Sequence, residues 1–397
     1  MSSQAEEKQP NDEMQTERVL TVVGGHFAHD SFSAFISPLL VPIRAQLGIG
    51  FGLAGNLSIF IQAPSLLNPF IGYLADRISL RYFIILAPAI TATLMSLMGL
   101  APNYLTLVFL LLATGFSVAA FHAPAPALIG EMSGKHVGRG MSFFMAGGEL
   151  GRALGPIAVV WAVSQFSLQG IWRLAFVGWA VSLILWWRLR DIDARPVART
   201  SGVSAEAREK AYRFFPPLTI LMFFRAAHMV TLTTFLPLYM SEEANASLWL
   251  AGVSLTILEF AGVAGALATG TLSDRFGRIN ILTILLFSAP IFTLIFLFLP
   301  SAIALPMLVL VGLSAISATP VIMAMVQDQF KENRAFANGI YMALNFSVRA
   351  LGTLLIGIIA DRVGLQMTFV IAALFAFLTL PSVWWLRQHF TEQNATG

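Results

Sequence analysis

The chain has 397 residues, 57% of them hydrophobic and only 11% charged, with a mean hydropathy of +0.75. Soluble domains carry roughly 45–50% apolar and about 25% charged residues, so these figures exclude an ordinary water-soluble core and a disordered chain alike. A net charge of +3 without a basic tract excludes nucleic acid as an expected partner, and the absence of cysteine excludes disulfides, thiolate metal sites and a thiol nucleophile.

In chain order, measured against the roughly 20 apolar residues that cross a bilayer, the sequence predicts twelve spans: 18–44, 50–74, 82–101, 103–130, 138–166, 171–188, 214–240, 248–273, 279–299, 302–327, 335–360 and 366–387. Turn and charge signals mark the breaks, among them Leu47-Gly48, Asp76-Arg77, Pro102-Asn103, Asp274-Arg275 and Asp361-Arg362. Residues 1–17 are polar, with no small-residue cleavage site after a short apolar core, and read as a cytoplasmic tail instead of a signal peptide. Cytoplasmic loops retain Lys and Arg. With the N-terminus inside, 18 of the 24 basic residues fall on the cytoplasmic side, and only Arg44, Arg173 and Arg362 reach the outer edge. The expectation is a multi-pass cell-membrane protein with both termini cytoplasmic, in the inner membrane if the source is bacterial.

The charged segment 189–213 divides the chain into six-span bundles at 18–188 and 214–388, with a short tail at 389–397. Motifs repeat at nearly one offset. Gly72-Tyr73-Leu74-Ala75-Asp76-Arg77 matches Gly270-Thr271-Leu272-Ser273-Asp274-Arg275 at 198 residues, Arg152-Ala153-Leu154-Gly155 matches Arg349-Ala350-Leu351-Gly352 at 197, and Pro38-Leu39 matches Pro237-Leu238 at 199. Such a pattern indicates duplication, the architecture of transporters that rock two halves about a central site.

Gly270 to Arg278 fits the Gly-x-Leu-x-Asp-Arg-x-Gly-Arg signature of the major facilitator superfamily, which this chain resembles over its whole length. The first copy departs from it at Ser79 and Leu80 but keeps Arg81, and a partial echo runs from Gly357 to Gly364. A narrower resemblance is to the fosmidomycin-resistance and drug–proton antiporter group. It is carried by His26-x-x-x-Asp30, Phe121-His122-x-Pro124 and Gly147-Gly148-x-x-Gly151-x-x-x-Gly155-Pro156; Glu149, Arg152 and Leu111 depart from the pattern. The resemblance implies an all-α membrane fold of twelve helices in two pseudo-symmetric bundles. It also implies that helices one, four, seven and ten line a cavity, while three, six, nine and twelve face lipid.

An ionised side chain at the bilayer centre costs about 2.5–3.5 kcal/mol on insertion scales. The spans nevertheless hold His26, His29, Asp30, His122, Glu149, Arg152, Arg225, His228, Glu259 and Arg349, and none lies on helices three, six, nine or twelve. His26, His29 and Asp30 share a helix face, as do Glu149 with Arg152 and Arg225 with His228. Burial strengthens a carboxylate's hold on a proton and a nearby cation weakens it. Asp30 is therefore the first candidate proton carrier, with His26 or His29 as relay and Glu259 and Glu149 as further candidates. Arg152, Arg225 and Arg349 keep their protons, and with His228 and His122 they are the candidate substrate contacts. The alternative is that the arginines and acids are structural pairs, with a neutral or cationic cargo.

Gly72, Asp76, Arg77, Arg81, Gly270, Asp274, Arg275 and Arg278 form the expected conformational latch, and Gly151, Gly155 and Pro156 permit close helix approach and bending. No nucleotide loop, catalytic metal spacing or soluble domain points to an enzyme. The expected function is a monomeric, proton-coupled exporter of a small amphiphilic or anionic compound, with protons and lipid as its other partners. No cofactor or resident metal is expected. The alternatives are a proton-coupled importer of an organic anion, or export of a metal or metal chelate.

Overall fold

The all-α architecture is borne out in the computed structural model, which describes residues 13–67, 81–134, 137–191, 205–299, 301–330 and 334–390. Among these residues there is no strand, and the helices form twelve rods. In the first half, α1 joins Thr16–Ser33 to Ile36–Leu47, α2 covers Phe51–Gln62 and continues through Ala63–Leu67, α3 is Arg81–Leu100, and α4 joins Tyr104–His122 to Ala125–Met132. One long helical stretch then breaks at Ser167 into α5 (137–166) and α6 (168–189). In the second half, α7 is Ala205–Glu242, α8 Leu248–Phe276 and α9 Arg278–Phe298, and α10 joins Ser301–Ala315 to Ala318–Gln329. A second long stretch breaks at Gly364 into α11 (334–363) and α12 (365–390). The start of α7 at Ala205 lies within the segment that charge alone marks as the central loop.

Duplication is visible in the backbone. Left-handed φ values follow α1 at Gly48 (62°) and α7 at Asn245 (50°), and they divide α5 from α6 at Ser167 (63°) and α11 from α12 at Gly364 (78°). Each pair stands 197 residues apart. Glycine and asparagine are the residues that enter this region most readily, and Ser167 holds the conformation where its counterpart is glycine. The two entry helices also loosen in register. α1 is interrupted at Ala34–Phe35, and α7 widens into a π-turn over Thr231–Phe235. The cause is Pro38 and Pro237. Each lacks an N–H, and its ring would strike the carbonyl four residues earlier, at Ala34 and at Thr233.

Glycines set how closely α5 approaches α1. A Cβ on Gly147 would meet Val23, on Gly151 the Phe27 carbonyl, and on Gly155 the Ser31 carbonyl. α7 packs on α11 in the same arrangement but less tightly, since a Cβ on Gly352 would only touch the Ala227 backbone at 3.4 Å. Helical geometry runs through Gly151, Gly155 and Pro156 uninterrupted as far as Ser167. Exposed bulk, such as Trp179, Leu183 and Trp187 on α6 or Ile284, Phe287 and Phe298 on α9, faces outward where lipid would lie.

The halves touch at the end of the bundle opposite the N-terminus. There Arg44 pairs with Glu242, and the Asp361 carboxylate accepts the N–H groups of Phe51 (2.6 Å) and Gly52 (2.9 Å) at the start of α2. Gly52 and Gly357 pack backbone to backbone. The second motif copy makes its contacts inside its own half. Arg278 bonds Asp274 at 2.5 Å, Asp328 at 3.0 Å and Ser273 at 2.6 Å, and Arg275 lies over Phe276. Arg81 lies against Tyr82. Gly72, Asp76 and Arg77 lie outside the described residues.

Candidate functional site

Close packing of α5 on α1 brings the intramembrane charges of the first half together. Asp30 is 2% exposed and has three nitrogen neighbours: Arg152 Nη1 at 2.8 Å, His122 Nε2 at 3.1 Å and His26 Nε2 at 3.3 Å. Gly148 sits against His26 and Asp30, where a Cβ would collide with the imidazole. The second guanidinium nitrogen of Arg152 pairs with Glu149, so this arginine is held by two acids.

The tautomer of His26 follows from geometry. Its Nδ1 lies 2.8 Å from the Phe144 carbonyl, an oxygen that can only accept, so Nδ1 carries a proton. Nε2 then faces Asp30 Oδ2 as a bare lone pair unless a second proton occupies the ring or the carboxyl. The contact is attractive only when that proton is present. His29 does not contact the Asp30 carboxylate directly; its ring stacks on Phe121 with centroids 4.6 Å apart and stands edge-on to His122 at 5.7 Å.

Donor atoms of His26, Asp30 and His122 all fall within 4.8 Å of one another, close enough to hold a metal ion. The Arg152 guanidinium places a permanent positive charge on the same carboxylate oxygen, which opposes a divalent ion there.

Beside this cluster lies a cavity of about 270 Å³ between the halves, near the lower limit of small-molecule sites. Arg152 of α5, Arg349 of α11 and Glu259 of α8 line it together, with the loosened segments of α1 (Ser33, Ala34) and α7 (Thr233, Thr234). Discontinuous helices at a central site are the geometry of alternating-access carriers. Arg349 Nη2 donates to Thr233 Oγ1 at 3.3 Å, while its buried Nε has no partner. Arg152 belongs to both places, being bonded to Asp30 and also lining the cavity.

Arg225 and His228 stand elsewhere. Arg225 donates to the Ala315 carbonyl (3.1 Å) and to Thr319 Oγ1 (2.6 Å), and His228 Nε2 meets Thr293 Oγ1 at 2.9 Å. They face a void of about 10 Å³ within the second half. Charge reasoning overlooked the neutral lining, notably Ser58 and Gln62 of α2. The signal was a polar stripe at 58, 62 and 65 in an apolar helix.

The Major Facilitator Superfamily family model matches residues 22–353 and 307–396. The chain is 22% identical to the fosmidomycin resistance protein of Escherichia coli K12 over 90% of each sequence. It is 27% identical to the multidrug resistance protein MdtG of Salmonella paratyphi A, over 68% of this chain and 70% of that protein. Its fold is similar to the crystal structure of a bacterial homologue of the human lysosomal transporter Spinster, in an inward-facing and unoccupied conformation. That match has a TM-score of 0.78 at 17% identity, and covers 95% of this chain and 98% of the other.

Proposed function

This chain belongs to the Major Facilitator Superfamily, a transporter and not an enzyme, and on that premise we propose that it is a proton-coupled carrier of a small amphiphilic or organic anion. The observation that carries the reading is Asp30, held between His26, His122 and Arg152 beside a cavity that Arg152 also lines. The Lys and Arg distribution supports cytoplasmic termini. The joined end is then external, and the cavity belongs to a state closed to the outside. Return to the outward-open state requires Arg44–Glu242 and the Asp361 contacts to part. On the inner face, Asp274, Arg275 and Arg278, with Gly270 and the first-half copy, are the groups that would hold the halves together in that state.

Coupling runs through Arg152. With Asp30 ionised, the guanidinium is held by that carboxylate and by Glu149. Arg152 also faces the cavity, where Arg349 supplies the second positive charge and Glu259 the counter-charge, so the Asp30 proton and the cargo both act on this one guanidinium.

Export in exchange for protons is the direction supported by likeness to the resistance proteins. Cotransport is a second reading, favoured by the double duty of Arg152: a proton on Asp30 releases the guanidinium to an anion in the cavity, so both ligands load together. Proton flux in inside-out vesicles decides between them. Exchange requires cargo entry with proton exit, cotransport requires both to move the same way, and cargo movement with no proton movement overturns the proton-coupled reading.

A further inference from the structure

The cavity has one wall that the charge cluster leaves unexplained. Ser58, Gln62 and Ser65 stand at i, i+4 and i+7 on α2 and all line the cavity. Their neighbours Leu57, Ile59, Phe60 and Ile61 are apolar. Ser58 is 3% exposed, and its hydroxyl has no hydrogen-bond partner. A buried polar group without a partner is destabilising and in native proteins marks a site needing a ligand or water. Gln62 donates Nε2–H to the Ser58 carbonyl at 2.9 Å. That bond uses one of the two amide N–H groups, so Oε1 and the second N–H of Gln62 remain, and the Ser58 hydroxyl can both donate and accept.

We infer that Ser58 and Gln62 recognise a neutral hydrogen-bonding group on the cargo, which is therefore a small organic anion carrying a hydroxyl or amide in addition to its charge. The inference rests on the anion reading above, in which Arg349 takes the charge. The two contacts come from opposite halves, because α2 belongs to the first bundle and α11 to the second. A bifunctional cargo bridges the interface that opens and closes in alternating access even while Arg152 stays on Asp30, because its neutral group holds α2 of the first half as its charge holds Arg349 of the second. The cavity volume of about 270 Å³ fits a cargo of that small size.

The test uses matched probes on the purified full chain: 3-hydroxybutyrate against butyrate, and hydroxymethylphosphonate against ethylphosphonate, with affinity read from ligand-dependent thermal stabilisation. Each hydroxylated probe is expected to bind about tenfold more tightly than its partner. Ser58→Ala and Gln62→Leu should bring the ratio close to one while leaving butyrate and ethylphosphonate within about twofold of the wild type. Ser58→Thr, which keeps a hydroxyl, should retain the preference. Equal binding of both members of each pair by the wild type, abolished by Arg349→Gln, overturns this inference and leaves the anion reading standing. A hydroxyl preference that survives both α2 substitutions overturns it too. Stabilisation by none of the four probes overturns the anion reading and this inference together.

Discussion

In the N-terminal half the arginine of the fifth helix, Arg152, is held by two acids; its counterpart in the C-terminal half, Arg349, donates to a threonine hydroxyl. No acid stands at the matched positions. Asp30 corresponds to Met229 at an offset of 199, and Glu149 to Phe346 at 197. His26 and His29 correspond to Arg225 and His228, whose partners are a carbonyl and hydroxyls. The frame kept its register, as the paired left-handed residues and the paired helix breaks at Ala34 and Thr233 show. Charge did not keep it. Duplication thus conserved the features that backbone geometry demands and left the side chains free to divide the work. One half became a charge-compensated cluster around Asp30, and the other an arginine bonded to a hydroxyl beside the cavity.

Removing the acid from the compensated half is the strongest way to break this contrast. Asp30→Asn should abolish proton-driven accumulation in proteoliposomes, a loss of at least about a hundredfold, while cargo exchange at equal concentrations persists. Accumulation that survives would remove Asp30 from the coupling. Next in size is Arg349→Gln, expected to weaken anionic cargo by about 10–100-fold, as a lost charge-assisted hydrogen bond does, with a neutral analogue little affected. Equal losses for both would make Arg349 a packing residue. Met229→Asp places an acid at the counterpart position. It should engage Arg349 and lower anion affinity by about three- to tenfold, read from the same binding curves. Unchanged affinity would mean that the halves are less equivalent than their register suggests.

Much of this was legible in the sequence because membranes make the rules strict. Span count and the duplicated motifs follow from apolar length and spacing, and buried charges stand out where each is expensive. The Asp30–Arg152 pairing was less accessible. It depends on α5 lying against α1, and the stripe Gly147, Gly151 and Gly155 permits that approach without stating which helix it faces. Arg225 and Arg349 look alike in sequence, each an arginine near the middle of a span. Only the packing of α10 on α7 shows that Arg225 is occupied by Ala315 and Thr319 while Arg349 reaches the cavity. Ser58 and Gln62 carry no formal charge, so a search led by charge passed them over. The partial motif echo, Gly357 to Gly364, does not reveal by its likeness to the other copies that its Asp361 accepts the N–H groups of the first turn of α2.

That contact supplies the mildest test, because it asks whether the two unlike halves are held in register by something other than cargo. Asp361 accepts two backbone N–H groups at a helix N-terminus, where a negative charge contributes about 0.3–1 kcal/mol. Asp361→Asn keeps the size but loses the charge, so the joined end should open about two- to fivefold more often. The chain contains no cysteine, so a single Ser37→Cys in the cavity lining reports directly on opening through its labelling by an impermeant thiol reagent added from outside. Faster labelling in the Asp361→Asn background would make the cap a brake on outward opening. Equal labelling would leave Arg44–Glu242 and the Gly52–Gly357 approach to hold the end shut, and the carboxylate would then only terminate α2.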